Sequence, residues 1–393
     1  MLAQQPILSD VTLERLYETD EGKKALSCIQ CGLCVGLCPQ GISPRKIVNF
    51  LNSRMPSEAL NVSDMLDCVS CYLCSTKCPR GISLTQLILP LVKEKLLETL
   101  EDVPDELQKV FENVTRYGNP QGESPKKRTD WIRKSGTQVK IITEADSLVD
   151  VLWWVDSYSS YHPRNQETTK ATARLLNILG IDFGVVGDEE HWAADCIRLE
   201  GEKGLFDEEA EKNISVLKKL KFRRIVCSDP HAFDTFRYQY PHYGYRVSVD
   251  HVTPFLYQQL DRLKPLFSKR IDKRVTYHDS CVLGRHNGFY EPPRAILKAI
   301  PGIKIVEMDH NREDSICCGG GGGGMWLDSY YKEKGLERLS DRRVREAAKT
   351  GSDILAVSCP YEISRFEDSL KLLGLEKKIK VMDVVDILNL AVG

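Results

Sequence analysis

Eight of the fourteen cysteines fall into two copies of one spacing. Cys28, Cys31, Cys34 and Cys38-Pro39 read C-x2-C-x2-C-x3-C-P, and Cys68, Cys71, Cys74 and Cys78-Pro79 repeat it without a slip. Such a run holds [4Fe–4S] clusters, the fourth cysteine of each run serving the other cluster. The expected ligand sets are Cys28, Cys31, Cys34 and Cys78 on one cubane, and Cys68, Cys71, Cys74 and Cys38 on the other. Three thiolates at this spacing wrap one corner of a cube, and the closing proline cannot continue a helical turn. Structural zinc takes two C-x2-C pairs across a longer insert, which two four-cysteine runs fit poorly.

The other six cysteines divide differently. Cys281, the adjacent Cys317-Cys318 and Cys359-Pro360 are spread along the C-terminal part, while Cys196 and Cys227 stand apart. A second internal repeat frames the first four of these. VDSYSSYHPRN (155–165) lines up with HDSCVLGRHN (278–287), and IVCSDPHAF (225–233) with AVSCPYEIS (356–364). In the earlier copy Ser157, Trp192-Ala193 and Asp229-Pro230 occupy the cysteine positions. One copy keeps a metal site and the other has lost it. Cys196 and Cys227 are off-register and read as buried thiols behaving as small hydrophobes.

Six glycines, Gly319 to Gly324, directly follow Cys317-Cys318. Backbone without side chains approaches an anionic sulfide core closely and aims N–H groups at it, so Gly319, Gly320 and Gly321 are expected to cradle a cluster. His278, Arg285 and His286 flank Cys281 and are candidates for catalysis. Either histidine would donate a proton or hydrogen-bond the cluster edge, and Arg285 would pair with an anionic substrate or a thiolate. A satisfied structural role fits each histidine equally well, and His231 is expected in the core.

These residues need elements to hold them. Each Cys-Pro is followed by x-Gly-Ile-Ser, with Ser43 before Pro44 and Ser83 before the apolar-periodic LTQLILPLVKEKLLETL. Both read as helix starts, the second helix kinked at Pro90. The 29 residues between Cys38 and Cys68 are expected to hold a helix of their own. Residues 1–117 thus form a mostly helical two-cluster domain. The stretch 118–136, rich in Gly, Pro, Ser and Lys, reads as a linker, and Lys126, Lys127 and Arg128 within it as a solvated connection. Beyond it, VKIIT, VLWWV, FGVVG, RRIVCS, RVTYHDS and ILAVSCP alternate with helical stretches, which predicts α/β units with parallel strands at 137–268 and 269–393.

The N-terminal part resembles the helical ferredoxin domain of fumarate-reductase-type iron–sulfur subunits. GRHNGFYEPP, EMDHNREDSICCGGGGGG and SCPYE resemble the cysteine-rich CCG domain of the catalytic subunit of heterodisulfide reductase, with relatives in sulfite-reduction complexes, glycolate oxidase and anaerobic glycerol-3-phosphate dehydrogenase. The resemblance covers essentially the whole chain. It implies a multidomain protein in which an α-helical two-[4Fe–4S] ferredoxin domain precedes duplicated α/β CCG domains. In that family an intact repeat binds a five-cysteine, non-cubane [4Fe–4S] cluster at which disulfide chemistry occurs. Here Cys281, Cys317, Cys318 and Cys359 match four ligands, and Glu362 stands in the place of the fifth. The first copy keeps none, with Ala232 at the last position. One further [4Fe–4S] cluster, cubane or non-cubane, is expected.

With 393 residues, two or three domains are expected. A net charge of −2 gives no footprint for nucleic acid. No window approaches eighteen apolar residues, and MLAQQPILSD lacks the basic start and apolar core of a signal peptide, so a cytoplasmic chain with reduced thiols is expected, peripheral to a membrane through partners. The chain is expected to pass electrons between its ferredoxin clusters, the CCG cluster and a partner subunit of an oxidoreductase complex. Flavin-containing or other redox subunits and a membrane or quinone-linked subunit are the expected partners. The alternative is a disulfide-reductase-like subunit acting on a sulfur substrate at the CCG cluster.

Overall fold

The two cysteine runs fold as near-copies down to the backbone. In the computed structural model, which describes residues 18, 20–52, 65–99, 103–146, 148–193 and 195–393, Gln30 and Ser70 stand at φ 56° and 49°, and Gly32 and Tyr72 at 79° and 62°. MLAQQPILSD lies outside these residues. The left-handed region costs a non-glycine residue about 1–2 kcal/mol. Its use at Gln30, Ser70 and Tyr72 therefore marks a loop shape that the chain must keep. Alternating handedness curls each loop so that cysteines three apart converge.

Helices Asp20–Leu26 and Pro44–Asn52 flank the first run, and Pro44–Asn52 is the helix expected between Cys38 and Cys68. After Ser83 the chain makes a π turn, Leu84–Ile88, then the α-helix Leu89–Thr99. Pro90 explains the wider turn. An α-helix would pair the Gln86 carbonyl with the N–H that proline lacks. Arg198 Nη1 donates to that carbonyl instead, at 2.9 Å. Ile42, Ile47, Leu66, Ile82, Ile88 and Val92 form the core under both loops.

Segment 118–136 corrects the expectation of a solvated connection. Lys126 and Lys127 are exposed, but Arg128 and Trp131 are buried. Trp131 packs edge-on against Trp153, and Arg128 Nη1 lies 2.9 Å from Glu190 Oε1, both side chains at most 2 % exposed. Gly, Pro and Ser report turns; they do not report whether a ring or a charge between those turns finds a buried partner.

Two parallel sheets follow. In the first, β1 (Lys140–Ile141), β2 (Val149–Trp154), β3 (Phe183–Val185), β4 (Phe222–Cys227) and β5 (Val249–His251) lie in the order β1-β3-β2-β4-β5. In the second, β6 (Arg274–Tyr277), β7 (Lys304–Ile305), β8 (Ile354–Val357) and β9 (Lys380–Asp383) lie in the order β7-β6-β8-β9. All pairings are parallel. Residues 151–154 and 354–357 are buried throughout, as strands covered on both faces must be. The sheets share one core, where Trp153, Leu176, Phe255, Tyr277, Ile296 and Leu388 meet.

In each sheet the chain reverses its direction of travel between two central strands, β2 and β4 in the first, β6 and β8 in the second. A parallel sheet opens a crevice at the carboxyl ends of strands at such a point. Ser157 and Asp229 follow β2 and β4; Cys281 and Cys359 follow β6 and β8. Among the described residues no helix is long and apolar enough to cross a membrane.

Removing Arg128 strands the buried Glu190 carboxylate, so Arg128→Ala should lower unfolding stability by about 3–5 kcal/mol. Lys126→Ala, on the exposed face, should change it by no more than about 0.5 kcal/mol. Urea unfolding of the two variants checks the contrast.

Candidate metal centres

All fourteen cysteines are free thiols. Cys38, Cys68, Cys71 and Cys74 wall one cavity, whose remaining lining includes Ile42, Ile47, Val69 and Leu84. Burial pushes the Cys74 thiol up, and its neighbours Cys71, Cys68 and Cys38 push the same way. Burial, followed by Cys317, pushes Cys71 up to about 12. On the other side, burial raises Cys34, with Cys78 and Cys28 adding to it. Cys38 thus lies with Cys68, Cys71 and Cys74, and Cys78 near Cys28 and Cys34. Soft thiols crowded in an apolar cavity suit an iron–sulfide core, which needs them deprotonated and supplies the positive charge they lack.

In the second sheet's crevice the thiols are more deeply buried, none above 5 % exposed. Cys281 opens the π turn Cys281–His286, and Cys359 caps the helix Pro360–Leu372. The neighbouring Cys281 and Cys318 thiols pull the Cys317 thiol well down. Gly319 N–H donates to Cys317 Sγ at 3.3 Å and Gly320 N–H to Cys318 Sγ at 3.4 Å. These two glycines have the cradle geometry. Gly321, Gly322 and Gly323 face elsewhere. A Cβ on Gly321 would stand 2.9 Å from the Val69 carbonyl oxygen, and one on Gly322 2.6 Å from Ser70 Oγ and 3.1 Å from the Cys68 carbonyl oxygen. Their bareness lets the crevice lie directly on the second cysteine loop.

Glu362 is 1 % exposed, and burial pushes its carboxyl well above the usual range. A carboxylate oxygen, Cys318 Sγ and a His278 ring nitrogen lie within 4.8 Å of one another. His278 Nδ1 accepts from Arg343 Nε at 2.9 Å, and burial holds the ring neutral, its pKa down to about 3. His278 Nε2 therefore carries the ring proton and stands 3.3 Å from Glu362 Oε1. Arg285, expected to meet a substrate or thiolate, is engaged by backbone carbonyls. Its guanidinium donates to the carbonyls of Cys71 (2.6 Å), Glu313 (2.9 Å) and Ser315. That binds the crevice to the second loop, beside ion pairs of Lys77 with Asp314 (2.7 Å) and Lys334 with Asp67 (2.6 Å). His286 stacks on Tyr72, ring centroids 4.2 Å apart, with Nε2 3.2 Å from Asp234 Oδ1.

The first sheet's crevice holds no cysteine at the aligned positions. Measured from the ends of β2 and β6, Tyr158 rather than Ser157 occupies the place of Cys281, each four residues past its strand. The ungapped line-up of VDSY (155–158) with HDSC (278–281) gives the same pairing, so Ser157 is one residue off. Tyr158 packs on Tyr361 and Trp192 on Trp326, and these rings fill the crevice. Cys227 is a buried strand residue. Cys196 is buried but not purely apolar in its surroundings, since His231 Nδ1 (3.9 Å) and Tyr361 Oη (3.8 Å) adjoin it.

Sequence reasoning passed over Arg343, Tyr72, Gln86 and the Lys93–Glu200 pair, 2.6 Å apart and at most 1 % exposed. Arg343 left one signal, a charge on the inward side of the amphipathic helix Leu339–Lys349. A cleft lined by Gln86, Arg198, Tyr238, His242 and His286 opens between the helical domain and the first sheet.

Residues 275–361 match the family described as a cysteine-rich domain, CCG, and residues 27–82 a 4Fe-4S dicluster domain. The chain is 34 % identical to the probable iron–sulfur-binding oxidoreductase FadF of Bacillus subtilis, over 76 % of this chain and 42 % of that protein. It is 30 % identical to the EtfAB:quinone oxidoreductase of Syntrophomonas wolfei, over 73 % and 41 %. The chain thus spans less than half the length of these two relatives. It is also 30 % identical to a subunit of the dihydromethanophenazine:CoB–CoM heterodisulfide reductase of Methanosarcina barkeri, over 98 % and 96 %.

Cys38→Ser should damage the centre walled by Cys68, Cys71 and Cys74 and spare the one near Cys28 and Cys34. Paramagnetic resonance of the reduced variant checks this; damage confined to the Cys28 side would contradict the crossed arrangement.

Proposed function

Because the chain belongs to the family of this heterodisulfide reductase subunit, we propose that it is the electron-transfer subunit of a larger oxidoreductase complex. It carries two [4Fe–4S] clusters in its dicluster domain and a further cluster in its cysteine-rich domain. When bound, these supply one-electron chemistry. The assigned ligands are Cys28, Cys31, Cys34 and Cys78; Cys68, Cys71, Cys74 and Cys38; and Cys281, Cys317, Cys318 and Cys359.

One observation carries the reading. Loop 68–72 and the glycine run touch, with Arg285 joining the Cys71 carbonyl to the loop that leads into Cys317. Ligands of two centres are thereby adjacent, so an electron has a path that does not leave protein. The order β3-β2-β4-β5 in the five-stranded sheet matches β7-β6-β8-β9 in the four-stranded one, which supports a duplicated CCG unit whose first copy, 137–268, has lost its site and whose second, 269–393, keeps it. Residues 1–117 are the helical domain and 118–136 the connection, packed rather than solvated. The relative named for EtfAB and quinone supports a protein electron donor, flavin-containing or otherwise redox-active, and a quinone-linked acceptor.

Glu362 bears on whether sulfur chemistry also occurs. Four thiolates can close a cubane with no open iron, whereas a hard carboxylate from Glu362 would leave one iron exchangeable. The first arrangement relays electrons only.

Anaerobically purified protein should contain about twelve iron atoms, from three four-iron clusters, and Cys318→Ala should lose about a third of them. Arg285→Leu, with iron content unchanged, should slow electron equilibration between the dicluster domain and the third cluster, read by rapid-freeze paramagnetic resonance. An unchanged rate would remove the junction from the path. Thiol added to the oxidised protein should raise no new paramagnetic species in wild type but should do so in Glu362→Cys; a wild-type response would favour catalysis at this cluster instead.

A further inference from the structure

The first sheet lacks cysteines at its aligned positions, yet its crevice is not walled off from the second. The loops after β4 and β8, Asp229-Pro230-His231 and Cys359-Pro360-Tyr361, occupy matching positions in their units and face each other. Their third residues meet as rings, His231 on Tyr361 with centroids 5.2 Å apart. As a result a carboxylate oxygen of Asp229, a ring nitrogen of His231 and Cys359 Sγ all lie within 4.8 Å of one another.

His231 is held for that position. Asp229 Oδ1 accepts its backbone N–H at 2.7 Å and so fixes the turn. Asp195 Oδ2, buried and without a hydrogen-bond partner among the described residues, stands 3.6 Å from His231 Nδ1. Arg198 anchors Asp195 at 3.0 Å. The ring edge also passes the glycine run, Cε1 lying 3.5 Å from where a Gly321 Cβ would be. A side chain with its backbone and one ring nitrogen oriented, 6 % exposed and turned toward a thiol of the other unit, is built for more than filling space.

We propose that His231, contributed by the unit without cysteines at the aligned positions, is a positioning residue for the third cluster: a ring nitrogen within 4.8 Å of Cys359 Sγ donates toward that ligand and raises the cluster's reduction potential. This rests on the reading of Cys359 as a ligand. Hydrogen-bond donors to cluster sulfur favour the more negative, reduced state. The lost repeat is thereby an outer wall that tunes the surviving centre.

The test uses the full chain, purified anaerobically with its clusters, in a mediated redox titration followed by paramagnetic resonance. The two dicluster centres serve as internal standards. His231→Leu, with iron content unchanged, should shift the oxidised-to-reduced ratio of the third cluster about tenfold toward oxidised at fixed potential, about 59 mV for one electron. His231→Gln, which keeps an N–H donor, should restore the wild-type ratio. An unchanged ratio in His231→Leu overturns the proposal, as does a shift in His231→Gln equal to that in His231→Leu. Loss of the third cluster in both variants also overturns it, because His231 would then be structural or a ligand. Failure of the underlying reading looks different: iron near eight atoms in wild type, with no loss in Cys359→Ala.

Discussion

Contact between the glycine run and loop 68–72 constrains everything around it. Backbone lies on backbone there, and any side chain at Gly321 or Gly322 would collide with Val69, Ser70 or Cys68. The neighbouring elements read as consequences. Arg285 takes up the Cys71 carbonyl that the approach buries, and Lys77 and Lys334 tie the rims. Because both sides of the contact also carry thiols, packing the domains together and bringing two metal centres together are one event.

Several buried charges stand close to that contact, and each has an identifiable partner. Lys93 donates to the Cys68 carbonyl at 3.1 Å and to Glu200, on which Gly323 lies. Burial pushes the Glu200 carboxyl up to about 8 even so. Behind Cys318, Arg343 donates to the neutral His278 ring, whose Nε2 stands 3.3 Å from Glu362 Oε1. Hydrophobic residues of similar volume often hold a fold equally well or better than buried ion pairs. Their concentration around the thiols fits a requirement set by the centres, namely fixed polar groups that orient the loops in a dry site.

The two sheets explain why one crevice can influence the other. Each places its loops at the carboxyl ends of the strands where the chain reverses direction, and the shared core turns these ends toward each other. The first unit's loops, without cysteines at the aligned positions, are filled by Tyr158 and Trp192 and lined by Asp229 and His231. The strands that aim those loops are held by apolar packing.

The spacing of the cysteines alone determined the chemistry: thiolates three residues apart, closed by proline, can serve few ends other than an iron–sulfide core. Alternation of short apolar runs with helical stretches determined the parallel α/β character, because buried strands must be apolar on both faces. Tertiary structure alone decided what surrounds the thiols. Arg128 and Trp131 sit in a stretch whose composition reports turns, and only packing shows them buried. Arg285 looked free for an anion, yet three carbonyls distant in sequence engage it. His231 comes within reach of Cys359 although 128 positions separate them. Covalent spacing reports which atoms one loop can gather; contacts between loops depend on how sheets and helices pack, and no local pattern encodes that.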